Sequence, residues 1–70
     1  MEFRYDQEDD VLMIWFSKEP VDFAEQQKDV IVHFSKANKP VLMEILDASK
    51  FLRETSQLFP HNIRQQVLAS

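Results

Sequence analysis

Apolar and polar residues alternate along the first two thirds of the chain in short segments typical of β-strands. In residues 2–6, Phe3 and Tyr5 alternate with charged neighbours, and the segment VLMIWFS that follows the acidic corner is β-branched and aromatic. Polar corners and prolines separate these segments from one another. The pattern predicts antiparallel strands at 2–6, 11–17, 30–35 and 40–46, with a weaker, edge-type strand at 21–25.

The apolar period changes from 2 to 3.6 at Asp47, which predicts a helix with that residue as its N-cap. Its apolar stripe consists of Ala48, Phe51, Leu52, Thr55, Leu58 and Phe59. Pro60 ends this helix. The expected fold is α+β, a small antiparallel β-meander of four or five strands followed by a C-terminal α-helix. Residues 1–59 would form one domain, and 60–70 a tail that is either a short helix or a frayed end.

The strand alternation separates two apolar sheet faces, and a single helix can cover only one of them. Phe3, Tyr5, Leu12, Ile14 and Phe16 are expected on the core face. The other face would carry Met13, Trp15, Ile31 and Leu42, which are the candidate interface residues. Two arrangements are open: either the helix packs over Trp15, or it packs on the opposite face. In the tail, the candidate apolar anchors are Phe59, Ile63, Val67 and Leu68.

Composition favours self-association as the extra stabiliser that so small a domain needs. The chain has 70 residues and no cysteine, which excludes disulfides and thiolate chemistry. A homodimer is therefore expected. The net charge of −4 is uneven, because residues 1–29 hold nine acids against three bases. This half disfavours nucleic acid and suits a basic protein partner.

The acidic corner YDQEDD raises the question of a cation site. Asp6, Glu8 and Asp10 stand at the first, third and fifth places of a calcium loop. Val11 and Ser17 occupy the places where such a loop needs glycine and glutamate. The three carboxylates are therefore weak metal candidates, and a turn whose acids face water is the preferred interpretation.

The remaining polar residues indicate no catalysis. His33 and His61 lack ligand spacing and are expected at the surface. A chain without glycine cannot form a nucleophile elbow or a phosphate-binding loop, so neither catalytic nor cofactor-binding residues are predicted. No apolar run is long enough to span a membrane, and the acidic N-terminus does not match a secretory signal. A cytoplasmic protein is expected.

Three segments resemble a family pattern. YDQEDDVLMI is similar to Y-D-x-E-x-D-x-L-Y-I, DVIVHF to G-I-I-L-D-Y, and MEILDASK to I-E-I-L-x-A-S-K. The chain thereby resembles the small bacterial family called domain of unknown function 2283 over residues 1 to about 53. The family usually has a D-G turn where Asn38-Lys39 stand, a glycine at Leu42 and a polar or basic residue at Trp15. These departures make the second sheet face of this chain more apolar.

The resemblance implies a compact meander with a helix and no assigned chemistry. Members are often encoded beside small toxins, which implies a non-enzymatic, antitoxin-like protein that neutralises a small basic toxin encoded nearby. The alternatives are a stand-alone structural homodimer and a module that responds weakly to divalent metal.

Overall fold

The computed structural model describes residues 2–55, which form five strands and one helix. The elements are β1 Glu2–Asp6, β2 Val11–Trp15, β3 Phe23–Gln27, β4 Val30–Phe34, β5 Pro40–Ile45 and α1 Ala48–Thr55. The predicted α+β class is confirmed, and every strand lies within two residues of its expected bounds. The expectations for the end of the helix at Pro60 and for the tail fall outside the described residues.

All five strands form one antiparallel sheet with the order β1-β2-β5-β4-β3. Hairpins join β1 to β2, β3 to β4 and β4 to β5, whereas residues 16–22 pass the ends of β5 and β4 to reach the far edge. Both ends of this connection are tied down, since Phe16 N donates to Val41 O and Asp22 N to Phe34 O, each at 2.7 Å. The weak strand is therefore an edge strand, as its mixed pattern predicts.

Helix α1 packs on one side of the sheet, here called the helix face. Ala48 and Leu52 of α1 form a buried cluster with Leu12, Ile14 and Ile45 of the two central strands β2 and β5. Phe3, Tyr5 and Met43 complete this cluster from the same side. The arrangement in which the described helix packs over Trp15 is therefore wrong, because α1 lies on the opposite face.

Among the residues whose burial the structure describes, Phe16 is the one expected core residue that is exposed. Strand β2 ends at Trp15, and the Phe16 side chain is 42% exposed. The β4–β5 pairing shifts by one residue between His33 and Phe34, which leaves Val41 without a partner in β4. Val41 is only 3% exposed and its carbonyl accepts the Phe16 N–H. This β-bulge fills the end of the sheet with Val41, and Phe16 turns outwards.

Among the described residues of this glycine-free chain, four adopt a positive φ: Asp10 (54°), Lys28 (53°), Asn38 (63°) and Asp47 (49°). Asn38 lies in the turn between β4 and β5. Asp and Asn tolerate a positive φ better than other non-glycine residues do. Lys28 has no such tolerance, and it stands in the two-residue turn between Gln27 and Val30.

Replacing Lys28 with glycine is expected to raise the free energy of unfolding by about 0.5–1 kcal/mol. Glycine removes the Cβ clash of the left-handed conformation, and this gain exceeds its added unfolded-state entropy. Thermal unfolding would show the change as an increase of several degrees. Lys36→Gly is the matched control, because Lys36 is also an exposed turn lysine but lacks a positive φ. Equal increases in the melting temperature of the two variants would show that the positive φ of Lys28 does not destabilise the protein.

Candidate functional site

The sheet side opposite α1, here called the open face, gathers the four apolar residues that the sequence singled out. The strand register places Trp15 beside Leu42 and His33, and Met13 beside Glu44 and Ile31. Met13, Trp15, Ile31 and Leu42 thus lie in two adjacent rows across β2, β5 and β4. All four are half-buried. The structure therefore brings together the four candidate residues of the sheet, whereas Phe59, Ile63, Val67 and Leu68 lie outside the described residues.

The Trp15 row continues into a groove of about 710 Å³ at the end of the sheet. Trp15 and Leu42 line it from the open face, and Phe16 and Val21 line it from the β2–β3 connection. Val21 is 50% exposed, which places it with Phe16 among the few exposed large apolar residues of the described part. The sequence pattern places both residues in strands, because the alternation gives no sign that β2 ends at Trp15.

His33 and Glu44 form a pair in the middle of the open face. His33 Nε2 lies 2.5 Å from Glu44 Oε1, and the side chains are 22% and 28% exposed. His33 pairs directly with Leu42, so its contact with Glu44 is a diagonal one across β4 and β5. The sequence predicted a plain surface histidine. Its half-buried position and its carboxylate partner correct that prediction.

The acidic corner between β1 and β2 is a hydrogen-bonded turn, as predicted. Asp6 Oδ1 accepts the backbone N–H groups of Glu8 at 3.1 Å and of Asp9 at 3.2 Å. This is the local bonding by which aspartate stabilises turns. Glu8 and Asp9 themselves are exposed. The corner therefore presents carboxylates to solvent while one of them organises the backbone.

Asp10 has a different role, because it holds the N-terminus of α1. Its Oδ1 accepts the Tyr5 hydroxyl at 2.6 Å and the Ser49 N–H at 3.0 Å, and its Oδ2 accepts the Ser49 hydroxyl at 2.7 Å. Its backbone carbonyl also accepts the Ala48 N–H at 2.9 Å. The capping carboxylate is thus that of Asp10, whereas the sequence assigned this task to Asp47. A cap that is 39 residues distant in sequence gives no local signal.

These hydrogen bonds perturb the pKa values of both titratable partners. Burial alone would raise the pKa of Asp10, but the bonds from Tyr5 and Ser49 and the charge of Arg53 outweigh it and lower that pKa. The hydrogen bond to Asp10, followed by burial, raises the pKa of Tyr5 to about 12. The folded state therefore favours an ionised Asp10 beside a neutral Tyr5.

The weak metal candidates are not assembled into a ligand set. One oxygen of Asp6 and both oxygens of Asp10 accept hydrogen bonds from the protein. Within residues 2–55, no three His, Cys, Asp or Glu side chains are grouped so that they could hold a metal ion. The arrangement of this corner is that of a structural clasp between the β1–β2 turn and α1.

Within the same residues, no helix combines the length and the apolar character that crossing a bilayer requires.

Comparison with known proteins gives one family. No curated protein and no solved structure matches the chain significantly. The family described as "Protein of unknown function (DUF2283)" matches residues 2–49, which is more than half of the chain and contains all five strands. Tyr5 and Asp10 belong to the first of the three motifs that carry the resemblance and Ser49 belongs to the last, so the clasp is where these two motifs meet. The chain is a member of the DUF2283 family.

Proposed function

We propose that this domain is a non-enzymatic protein–protein interaction module that forms a homodimer through its open face. The observation that carries the proposal is the placement of α1 on the helix face, while Met13, Trp15, Ile31 and Leu42 line the opposite side. A contiguous apolar surface on a small domain is typical of an interface. Tryptophan is also enriched among the residues that dominate binding energy.

A second copy of the chain fits this face better than a charged partner. The acids of the open face lie near bases: Glu44 contacts His33, and Glu2 lies on the same face of β1 as Arg4, two residues away. Two such faces can therefore meet without strong repulsion in an isologous dimer. One face of a five-stranded sheet with strands of about five residues has a projected area of roughly 400 Å². The accessible surface of that face is larger, because its side chains make it uneven. Two copies would thus approach the lower limit of about 1,200 Å² for stable interfaces.

Sedimentation equilibrium tests this proposal on the unmodified chain. The expected result is a reversible transition between 8.3 kDa and twice that mass, with a dissociation constant in the micromolar range of a small interface, about 1–100 μM. A single species of 8.3 kDa up to about millimolar concentration, at which even weak specific dimers form, would contradict it.

The finer form of the proposal is an antitoxin-like role, in which the dimer neutralises a small basic protein. It is supported by the concentration of acids in residues 1–29 and by the exposed carboxylates of Glu8 and Asp9. Opposite charge would speed the association of such partners and select between them. A negative surface of this kind disfavours nucleic acid as the direct ligand.

Co-expression with the product of the neighbouring gene tests the antitoxin-like role. We expect a complex that copurifies and that restores growth of cells expressing the neighbour alone. Glu8→Lys with Asp9→Lys should weaken the complex, whereas Lys18→Arg, which preserves charge on another exposed loop residue, should not. If neither the complex nor the growth effect is observed, the antitoxin-like role is excluded. The proposal of a homodimer is unaffected by that result.

A further inference from the structure

Strand β3 forms an edge of the sheet that no other described strand or helix covers. All five residues Phe23–Gln27 are exposed. Natural edge strands are usually blocked by proline, lysine, a bulge or repeated charges. The other edge, β1, carries charge at Glu2, Arg4 and Asp6, three of its five positions. Strand β3 carries a single charge, Glu25, and its pairing with β4 is unbroken from Phe23 to Gln27.

The register with β4 determines which backbone groups of β3 point away from the sheet. Gln27 and Val30 flank a two-residue turn and therefore form a hydrogen-bonded pair. Hydrogen-bonded and non-hydrogen-bonded pairs alternate along an antiparallel ladder. The N–H and C=O groups of Ala24 and Gln26 are accordingly directed outwards, in the spacing that an additional strand would use.

The side chains around this edge combine an aromatic surface with negative charge. Phe23 is 38% exposed, and its ring stacks on that of Phe34 with centroids 5.1 Å apart. Between Asp22 and Asp29 the chain has three acids against one base, Lys28. A groove of about 1,000 Å³ runs between this edge and α1, and its lining includes Val32, Phe34, Phe51, Glu25 and Glu54.

We propose that β3 accepts an extended segment of a partner protein as a sixth strand, and that this segment alternates apolar residues with lysine or arginine. Its backbone pairs with the outward groups of Ala24 and Gln26. Successive residues of the segment lie on opposite sides of the sheet, so its basic side chains lie beside Glu25 on the helix face, with their aliphatic stems against the Phe23 ring. Its apolar side chains lie on the other side, beside Ala24 and Gln26. This inference identifies the chemistry of the basic partner proposed above, but it uses a surface separate from the open face.

A second copy of the chain is a poorer occupant of this edge. Antiparallel self-pairing centred on Glu25 would place the carboxylates of the two copies opposite each other. Every other register still brings together two acidic edges. A basic segment replaces this repulsion by attraction, and the charge of β3 and its neighbours therefore favours a different chain.

An NMR titration with two synthetic peptides of equal length tests the edge. One peptide alternates valine with lysine, and the other alternates valine with glutamate. We expect the Val/Lys peptide to shift the amide signals of Phe23, Ala24 and Gln26, and to bind at least about tenfold more tightly than the Val/Glu peptide. Shifts on the open face alone, equal affinity for both peptides or no shift in β3 would overturn the proposal.

Two variants of Ala24 separate backbone pairing from general charge attraction. Ala24→Pro removes the outward N–H without removing a hydrogen bond to β4. It should lower the affinity for the Val/Lys peptide at least about tenfold. Ala24→Val retains the N–H and should bind like the parent. Glu25→Lys leaves the backbone intact and should also weaken binding, which keeps the test valid if the proline variant fails to fold. Unchanged affinity in Glu25→Lys would refute the basic segment.

Dilution of the protein without peptide distinguishes this inference from the proposed dimer. The dimer predicts concentration-dependent shifts at Met13, Trp15, Ile31 and Leu42, and the edge inference predicts none in β3. Peptide binding at β3 by a chain that stays monomeric would refute only the dimer. Concentration-dependent shifts in β3 itself would show that a second copy occupies the edge, and would overturn the inference.

Discussion

Replacing Asp10 with asparagine is expected to lower the free energy of unfolding by about 2 kcal/mol, since hydrogen bonds to a charged acceptor contribute about 1.5–3 kcal/mol and partial exposure reduces this. Three side-chain bonds end on this carboxylate, and they join β1, the following turn and α1. Asparagine also tolerates a positive φ, so the backbone at this position is preserved. The melting temperature should fall by roughly 10 °C, as expected for a domain of this size.

The neighbouring Asp9→Asn variant is the control for this effect. It makes the same change of charge one residue away, at an exposed side chain that accepts no hydrogen bond from the described residues. Its melting temperature should stay within about 2 °C of the parent, as is usual for surface substitutions. If the two variants melted alike, Asp10 would not be the clasp between the turn and the helix.

The same clasp determines a pH dependence at both ends of the scale. The lowered pKa of Asp10 means that its stabilisation is present above its unfolded value of 3.8 and is lost as pH falls through the folded value. The raised pKa of Tyr5 means that its contribution is present below pH 10 and is lost as pH rises towards about 12. Asp10→Asn should flatten the acid limb of the stability curve, and Tyr5→Phe the alkaline limb.

Trp15→Lys is expected to weaken the proposed dimer by at least about 30-fold, because a central interface tryptophan typically contributes 2 kcal/mol or more. The monomer should remain folded, since Trp15 lies outside the buried cluster. Sedimentation equilibrium measures the change. Gln27→Lys adds the same charge at an exposed position of the helix face and should dimerise like the parent.

The strands and their faces were predictable because period-2 alternation is a local property of the chain. Phe3, Leu12 and Ile14 were placed on the core face from that alternation alone, and the structure agrees. Phe16 continued the same alternation, but its position depends on the bulge at Val41, which is a non-local feature of β5. Alternation predicts faces only as far as the strand extends.

The clasp and the strand order were not predictable, because both depend on contacts between distant segments. In the sequence, nothing distinguishes Asp10 from the other acids of its run. Its role follows from the fold, which brings Ser49 at the start of the helix to its carboxylate. The insertion of β5 between β2 and β4 likewise leaves no local pattern. The open face was deduced as one of two alternatives, and only the placement of α1 decides between them.

Trp15 is the only tryptophan of the chain, so its fluorescence reports directly on the open face. Acrylamide quenching of Trp15 should be measured while the unmodified protein is diluted through the range in which the dimer dissociates. A dimer formed through the open face would give weak quenching at high concentration and increasingly strong quenching on dilution, as the second copy leaves Trp15. Quenching that is independent of protein concentration would show that two copies do not meet at the open face.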